Sequence, residues 1–440
     1  MSELVVRGGT ILTMSPSWDL ATGDLHVVDG KITQVGGQAV PRGRDYEILD
    51  AEGALVLPGF VQSHVHTCQT LARGRADDLA LLDWLRRVIW PYEAALTERD
   101  VEAAARLAFV ELLLGGTTAI QDMGTVRHTR AIFEVARTAG IRLTAGKAMM
   151  DAGEGVPAGL LEATQASLDE SVALASEVHE AEKGRLRYAF APRFVLSCSE
   201  DLLRRTAIEA RRLGCRIHTH ASENKDELEA VKRLRGDDNI AYLDGLGLLG
   251  TDVGLAHCVW VTERERDLLR DTGTHLLHCP SSNLKLASGI APVPELAAAG
   301  VAVSLGADGA PCNNNLDAFV EMRLAALIHR PRLGPETLPA RQVVKMATWG
   351  GARALGLDAW IGSLEVGKRA DLIVVDVSAP HVAPTQSPYS ALVYACRSTD
   401  VRHVVVDGTT LVREGALLTL DAARTAAEAR TRAERIFDRL

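Results

Sequence analysis

Between residues 55 and 360, eight short apolar runs recur, each followed by a stretch of helical spacing, and this alternation leaves few folds open. The runs are ALVLPGFVQSH, TTAIQD, IRLTAGKA, LRYAFAP, CRIHTH, DVGLAHC, THLLHC and VAVSLGAD. Their length and Val/Ile/Leu content suit parallel strands buried on both faces. Eight such units predict an α/β chain built as a closed (β/α)8 barrel of the TIM type. The alternative is a doubly wound open sheet, but no Gly-x-Gly-x-x-Gly follows a strand here and nothing resembles a phosphate-binding P-loop. The best-marked helix starts at Thr97 as N-cap of TERDVEAAARLAFVELLLGG and stops at Gly115 and Gly116.

Outside the barrel the pattern changes. ELVVRGGTILTM, GDLHVVDGKITQVG and YEILDAEGALVLPG are short β-rich runs separated by Gly and Asp turns, and GSLEVGKRADLIVVD and VRHVVVDGTTLVREG repeat the style near the other end. Residues 1–54 and 361–440 are therefore expected to join into a small β-sandwich domain with a C-terminal helix, and residues 55–360 to form the barrel.

Composition excludes some functions. A net charge of -9 disfavours a polyanionic partner, since nucleic-acid binders present a basic face, and an aromatic content of 4% offers little for stacking on single strands. The sequence has no apolar run of about 18 residues to span a bilayer and no basic-then-apolar leader at MSELVVRGGTILTM. Seven scattered cysteines without a C-x-x-C pair read as reduced thiols, and a cytoplasmic location is expected.

The first barrel run ends in His64-Val65-His66, and alternation along a strand puts both imidazoles on one side as a chelating pair. The fifth run ends in His218-Thr219-His220, the sixth in Ala256-His257-Cys258 and the eighth in Ala307-Asp308-Gly309. The carboxyl ends of barrel strands converge on the face where active sites lie. Imidazole nitrogens with one carboxylate suit zinc, or iron, manganese or cobalt, and suit calcium and magnesium poorly. Read singly, His220 and His257 could be core histidines and Asp308 a helix cap.

With PGFVQSHVHTCQTLARG, HTHASENKDELEAVK, AHCVWV, HCPSSNLKLASGIAPVPEL, LGADGAPCNNNLDAFVEMRLAAL and GSLEVGKRADLIVVD in order, the chain resembles the amidohydrolase superfamily. The resemblance is to the branch holding guanine deaminase, the S-adenosylhomocysteine and 5'-deoxyadenosine deaminases and the chlorotriazine hydrolases. It implies that His64, His66, His220 and Asp308 hold one divalent metal, zinc by default with Fe(II) as the alternative, because LRYAFAP offers no lysine to bridge two ions. His218 points to the same side as His220, but the family's ligand opens H-x-x-E and is His220. The resemblance also implies that Glu223 shuttles a proton from water to a ring nitrogen and then to a leaving amine, that His257 stabilises developing charge, and that Asp308 doubles as a proton acceptor. Alternatively, Glu223 is a solvated carboxylate opening a charged helix.

The implied reaction is hydrolytic deamination of a purine-type heterocycle with release of ammonia. Gln69 and Arg193 resemble guanine deaminase, as does GKAMMD with Lys147, whereas DGAPCNNNLD and the DWL segment with Trp84 resemble deaminases of adenosine derivatives. Arg193 suits a carbonyl edge, a pterin or an acidic tail, or else forms a structural ion pair. Asn283 contacts sugar hydroxyls or satisfies loop backbone, and Trp84 walls the pocket or packs in the core. An s-triazine hydrolase, a pterin deaminase and a non-catalytic scaffold are the alternatives. A homodimer or larger assembly is expected from apolar helices such as LDAFVEMRLAALIHR.

Overall fold

A computed structural model of the chain describes residues 2–17, 20–41, 43 and 45–440. All eight runs form strands. They are β1 (Phe60–His66), β2 (Thr117–Asp122), β3 (Arg142–Ala145), β4 (Leu186–Pro192), β5 (Arg216–Ala221), β6 (Val253–His257), β7 (His275–His278) and β8 (Ala302–Leu305). Each pairs in parallel with its sequence neighbour. Nearly every residue of these strands is buried, as expected of a sheet covered by helices outside and filled by side chains inside.

The eighth run closes the barrel in two pieces. Ala302–Leu305 pairs with β7, the chain bends at Gly306 and Ala307, and Asp308–Gly309 pairs with β1 through Asp308↔Val65 and Gly309↔His66. A side chain at Gly306 would meet the His64 carbonyl at 2.6 Å, so glycine is required where the two strands touch. Side chains complete the seam: Ser63 Oγ donates to the Leu305 carbonyl (2.9 Å), and the Ala307 amide donates to Gln62 Oε1 (3.0 Å). This closure carries Asp308 to the same rim as His64 and His66.

The first run contains two strands. Leu55–Pro58 belongs to a separate nine-stranded sheet, where it lies between Glu3–Leu12 and Leu372–Val375 and so joins the two ends of the chain. Gly59 makes the crossing to β1, since a Cβ there would sit 2.1 Å from Thr118. Leu4, Val6, Ile11, Leu25, Val374 and Val405 form part of this sheet's own core. A buried ion pair ties it to the barrel: Arg142 of β3 donates from Nε and Nη2 to Asp371 at 2.7 and 2.8 Å.

The helix Glu98–Leu114 begins with a capping box between Thr97 and Asp100 and has Gly115 as its C-cap. Asp100 also receives Arg432 and Arg439 (3.1 and 3.2 Å), which fastens the last helix, Ala422–Phe437, against this barrel helix.

Candidate active site

The carboxyl ends of β1, β5, β6 and the closing piece of β8 bring four histidines and Asp308 together. His64 Nε2 and His66 Nε2 lie 3.3 and 3.5 Å from Asp308 Oδ1, and His66 Nε2 lies 3.2 Å from His220 Nε2. The ring orientations are set from behind. His220 Nδ1 donates to the Arg193 carbonyl at 2.6 Å, which turns its Nε2 toward the cluster. His64 Nδ1 meets His218 Nε2 at 2.6 Å, so His218 stands behind the pair.

Asp308 is fixed just as firmly. Its Oδ2 accepts from Ser282 Oγ at 2.6 Å and its Oδ1 from the Gly309 amide at 2.8 Å. Asp308 (φ 62°) and His257 (φ 75°) both occupy left-handed backbone, a conformation that non-glycine residues adopt at a cost and that clusters at functional sites.

The electrostatics favour metal binding. Burial, with repulsion among the rings, drives His66, His218 and His220 well below the ordinary imidazole range, and burial also lowers His64. Burial would raise Asp308, but His64, His257 and His66 outweigh it and hold the carboxyl well below its usual range. Neutral rings with free lone pairs therefore face an ionised carboxylate. Ligand atoms of His64, His66 and Asp308 lie within 4.8 Å of one another, as do those of His64, His220 and His257. His64 Nε2 is buried and has no hydrogen-bond partner, so its lone pair suits a metal ligand. The donor set fits a borderline divalent ion.

Glu223 follows β5 but does not serve its helix. Asn224 caps Lys225–Arg235 in a box with Glu227, whose Oε2 accepts the Glu223 and Asn224 amides at 2.8 and 3.3 Å. The Glu223 carboxyl is thereby released from capping, is only 4% exposed, and lines the pocket. It lies 3.5 Å from His257 Nε2 and accepts from Ser288 Oγ at 3.2 Å. Burial pushes it up to about 7, against the attraction of His257. Burial would lower His257 in turn, but Glu223 and Asp308 raise it, and its Nδ1 is held by Asn283 Oδ1 at 2.8 Å.

These groups open into a pocket of about 420 Å³ whose apolar wall includes Leu81, Trp84, Leu85, Phe194 and Leu286. Gln69 and Arg193 also line it, and both are anchored on Glu93: Gln69 Nε2 donates to Oε1 at 2.8 Å, and the Arg193 guanidinium grips both carboxylate oxygens. Asn283 lies behind His257, outside the pocket lining. Glu93, Ser282 and Ser288 were not singled out from the sequence. The one signal for Glu93 is an acid inside the apolar stretch WPYEAAL, which needs a buried cation.

The profile of the Amidohydrolase family matches residues 55–411. The 5'-deoxyadenosine deaminase of Methanosarcina acetivorans is 38% identical over 441 residues, spanning 100% of this chain and 99% of the relative. The 5-methylthioadenosine/S-adenosylhomocysteine deaminase of Halobacterium salinarum is 40% identical over 440 residues, spanning 99% and 98%. Among solved structures, an adenosine deaminase from Xanthomonas campestris with bound zinc superposes with a TM-score of 0.90 at 32% identity, over 99% of both chains.

Proposed function

Because the chain belongs to the amidohydrolase family, we propose that it is a metal-dependent aminohydrolase that deaminates an adenosine derivative, with 5'-deoxyadenosine, methylthioadenosine and S-adenosylhomocysteine ahead of guanine. One observation carries the reading: the buried Glu223 carboxyl, raised to about 7, sits 3.5 Å from His257 in the pocket that His66, His220 and Asp308 also line. A general acid–base group works best when its pKa lies near the working pH.

His64, His66, His220 and Asp308 hold the ion, one zinc in this reading, with Fe(II) as the alternative. When bound, a divalent ion supplies Lewis acidity that brings water's ionisation toward neutrality. Glu223 takes one proton from the attacking water to the ring nitrogen and carries the second from the same oxygen to the departing amine, so that a carbonyl oxygen replaces nitrogen and ammonia leaves. His257, held by Asn283, steadies the negative charge that develops on that oxygen, and Asp308 is a second acceptor for the water's proton.

Trp84, Phe194 and Leu286 enclose the ring faces, and Gln69 and Arg193 meet polar edges. Glu93 already neutralises Arg193, which favours an uncharged heterocycle over an acidic group at that edge. Seven buried, unlinked cysteines support a reducing, cytoplasmic setting. A homodimer is part of the same proposal, with the exposed Leu327 and Leu333 as apolar contacts.

The test combines elemental analysis with ammonia release from 5'-deoxyadenosine, methylthioadenosine, S-adenosylhomocysteine, adenosine, guanine, pterin and melamine. Metal near one equivalent with ammonia from the adenosine series is expected. Metal without ammonia from any of them would overturn the purine assignment and turn attention to halide release from chlorotriazines.

A further inference from the structure

On the opposite side of the barrel from the metal ligands, a cleft of about 1030 Å³ opens between the helices Val293–Ala298 and Ala340–Lys345, where β8 begins. Ala302 and Val303 line it, so it meets the amino end of the run whose carboxyl end carries Asp308. Its polar lining is Arg341, Gln342, Lys345 and Arg353 around Trp349, and no aspartate or glutamate among the described residues lines it. That is an unusual local balance on a chain of net charge -9.

The cations are positioned rather than scattered. Lys345 Nζ and the Arg353 guanidinium lie 4.6 and 4.8 Å from the Trp349 ring centroid, so one indole holds both. Met346–Gly350 is a π-helical turn, a distortion frequent at functional sites, and it carries Trp349 into the cleft. The charges also oppose one another: burial lowers the Lys345 ammonium, and Arg353 and Arg341 lower it further. Arginine forks match phosphate oxygens in pairs, and lysine adds a point charge.

We propose that this cleft is a second ligand site, separate from the catalytic pocket, for a small molecule bearing a phosphoryl group. Arg341, Lys345 and Arg353 bind the phosphoryl oxygens, and Gln342 supplies an amide donor. The substrate pocket described above takes no part in it.

The full-length, metal-loaded protein is titrated with inorganic phosphate and with ribose 5-phosphate by calorimetry, sodium chloride holding ionic strength constant. Saturable binding is expected for at least one of them: for both if phosphate alone suffices, and for ribose 5-phosphate alone if the ligand must carry an organic body. Lys345→Gln with Arg353→Gln is expected to weaken binding at least about tenfold, while kcat/KM for the deaminated nucleoside stays within about twofold of wild type. Trp349→Phe keeps the charges but weakens the platform, and is expected to weaken binding less. Equal affinity in wild type and the double variant would place the anion elsewhere and overturn the proposal, as would absence of saturable binding by either compound.

Discussion

His64 Nδ1 lies 2.6 Å from His218 Nε2, with both rings fully buried. For His64 to offer Nε2 to an ion, its Nδ1 must carry the proton and donate it to His218, which must then be protonated on its own Nδ1. That last atom is buried without a partner, so the arrangement holds one imidazole in a defined tautomer at the expense of another. Ring-positioning partners of this kind are worth about 10- to 100-fold in metal affinity. His218→Ala should weaken zinc binding by that factor, read by competition with a chromophoric chelator, and His218→Gln, whose amide oxygen can accept, should recover part of it. Unchanged affinity in His218→Ala would remove His218 from the site's design.

Glu223 is a proton carrier in the proposed reaction, and no hydrogen bond ties it to a metal ligand. Glu223→Gln keeps the shape and the contact with Ser288 but loses the exchangeable proton. Turnover should fall by about 10²- to 10⁴-fold, with zinc content and KM near those of wild type. Loss of metal in this variant would mean that the carboxylate shapes the ligand cluster instead.

The same group has a signature in stability. Its folded value of about 7 stands above the ordinary glutamate value of 4.5, so folding favours the protonated form. That contribution is fully present below about pH 4.5 and is lost as pH rises through about 7. His66 and His220 are shifted downward and act in the opposite direction, losing stability as pH falls. The difference between wild type and Glu223→Gln isolates the carboxyl. In urea unfolding of the metal-free proteins the two should be similarly stable at pH 5, and the variant should be the more stable at pH 8. A pH-independent difference would contradict the raised value.

Periodicity and strand ends made most of this architecture legible. Every barrel run became a strand because parallel strands covered on both faces need uninterrupted apolar stretches. His64, His66, His220, His257 and Asp308 could be placed together because barrel strands share one carboxyl rim. What stayed hidden depended on distant partners. Glu93 meets Arg193, a hundred residues on, only after both elements reach the same wall. Whether Glu223 caps a helix or faces the pocket depended on Asn224 and Glu227 forming their own box. The division of ALVLPGFVQSH at Gly59 depended on Leu55–Pro58 finding Leu372–Val375 across more than three hundred residues.

Glu93 offers the sharpest test of how the pocket chooses its ligand. One carboxylate fixes both Gln69 and Arg193, and its pairing with Arg193 is almost wholly removed from water. Breaking a buried pair from one side costs about 3–5 kcal/mol because the remaining charge is stranded. Glu93→Gln should therefore lower stability by that order and free the Arg193 guanidinium. With its charge uncompensated, the pocket should lose affinity for uncharged nucleosides, raising KM more than it lowers kcat, because Glu223 and His257 are untouched. It should also gain affinity for competitive inhibitors that carry a carboxylate. Glu93→Gln with Arg193→Met removes both charges and should recover stability without that gain. If Glu93→Gln instead lowers kcat with KM unchanged, Glu93 bears on the reacting atoms, and its role is more than holding Arg193 and Gln69 in place.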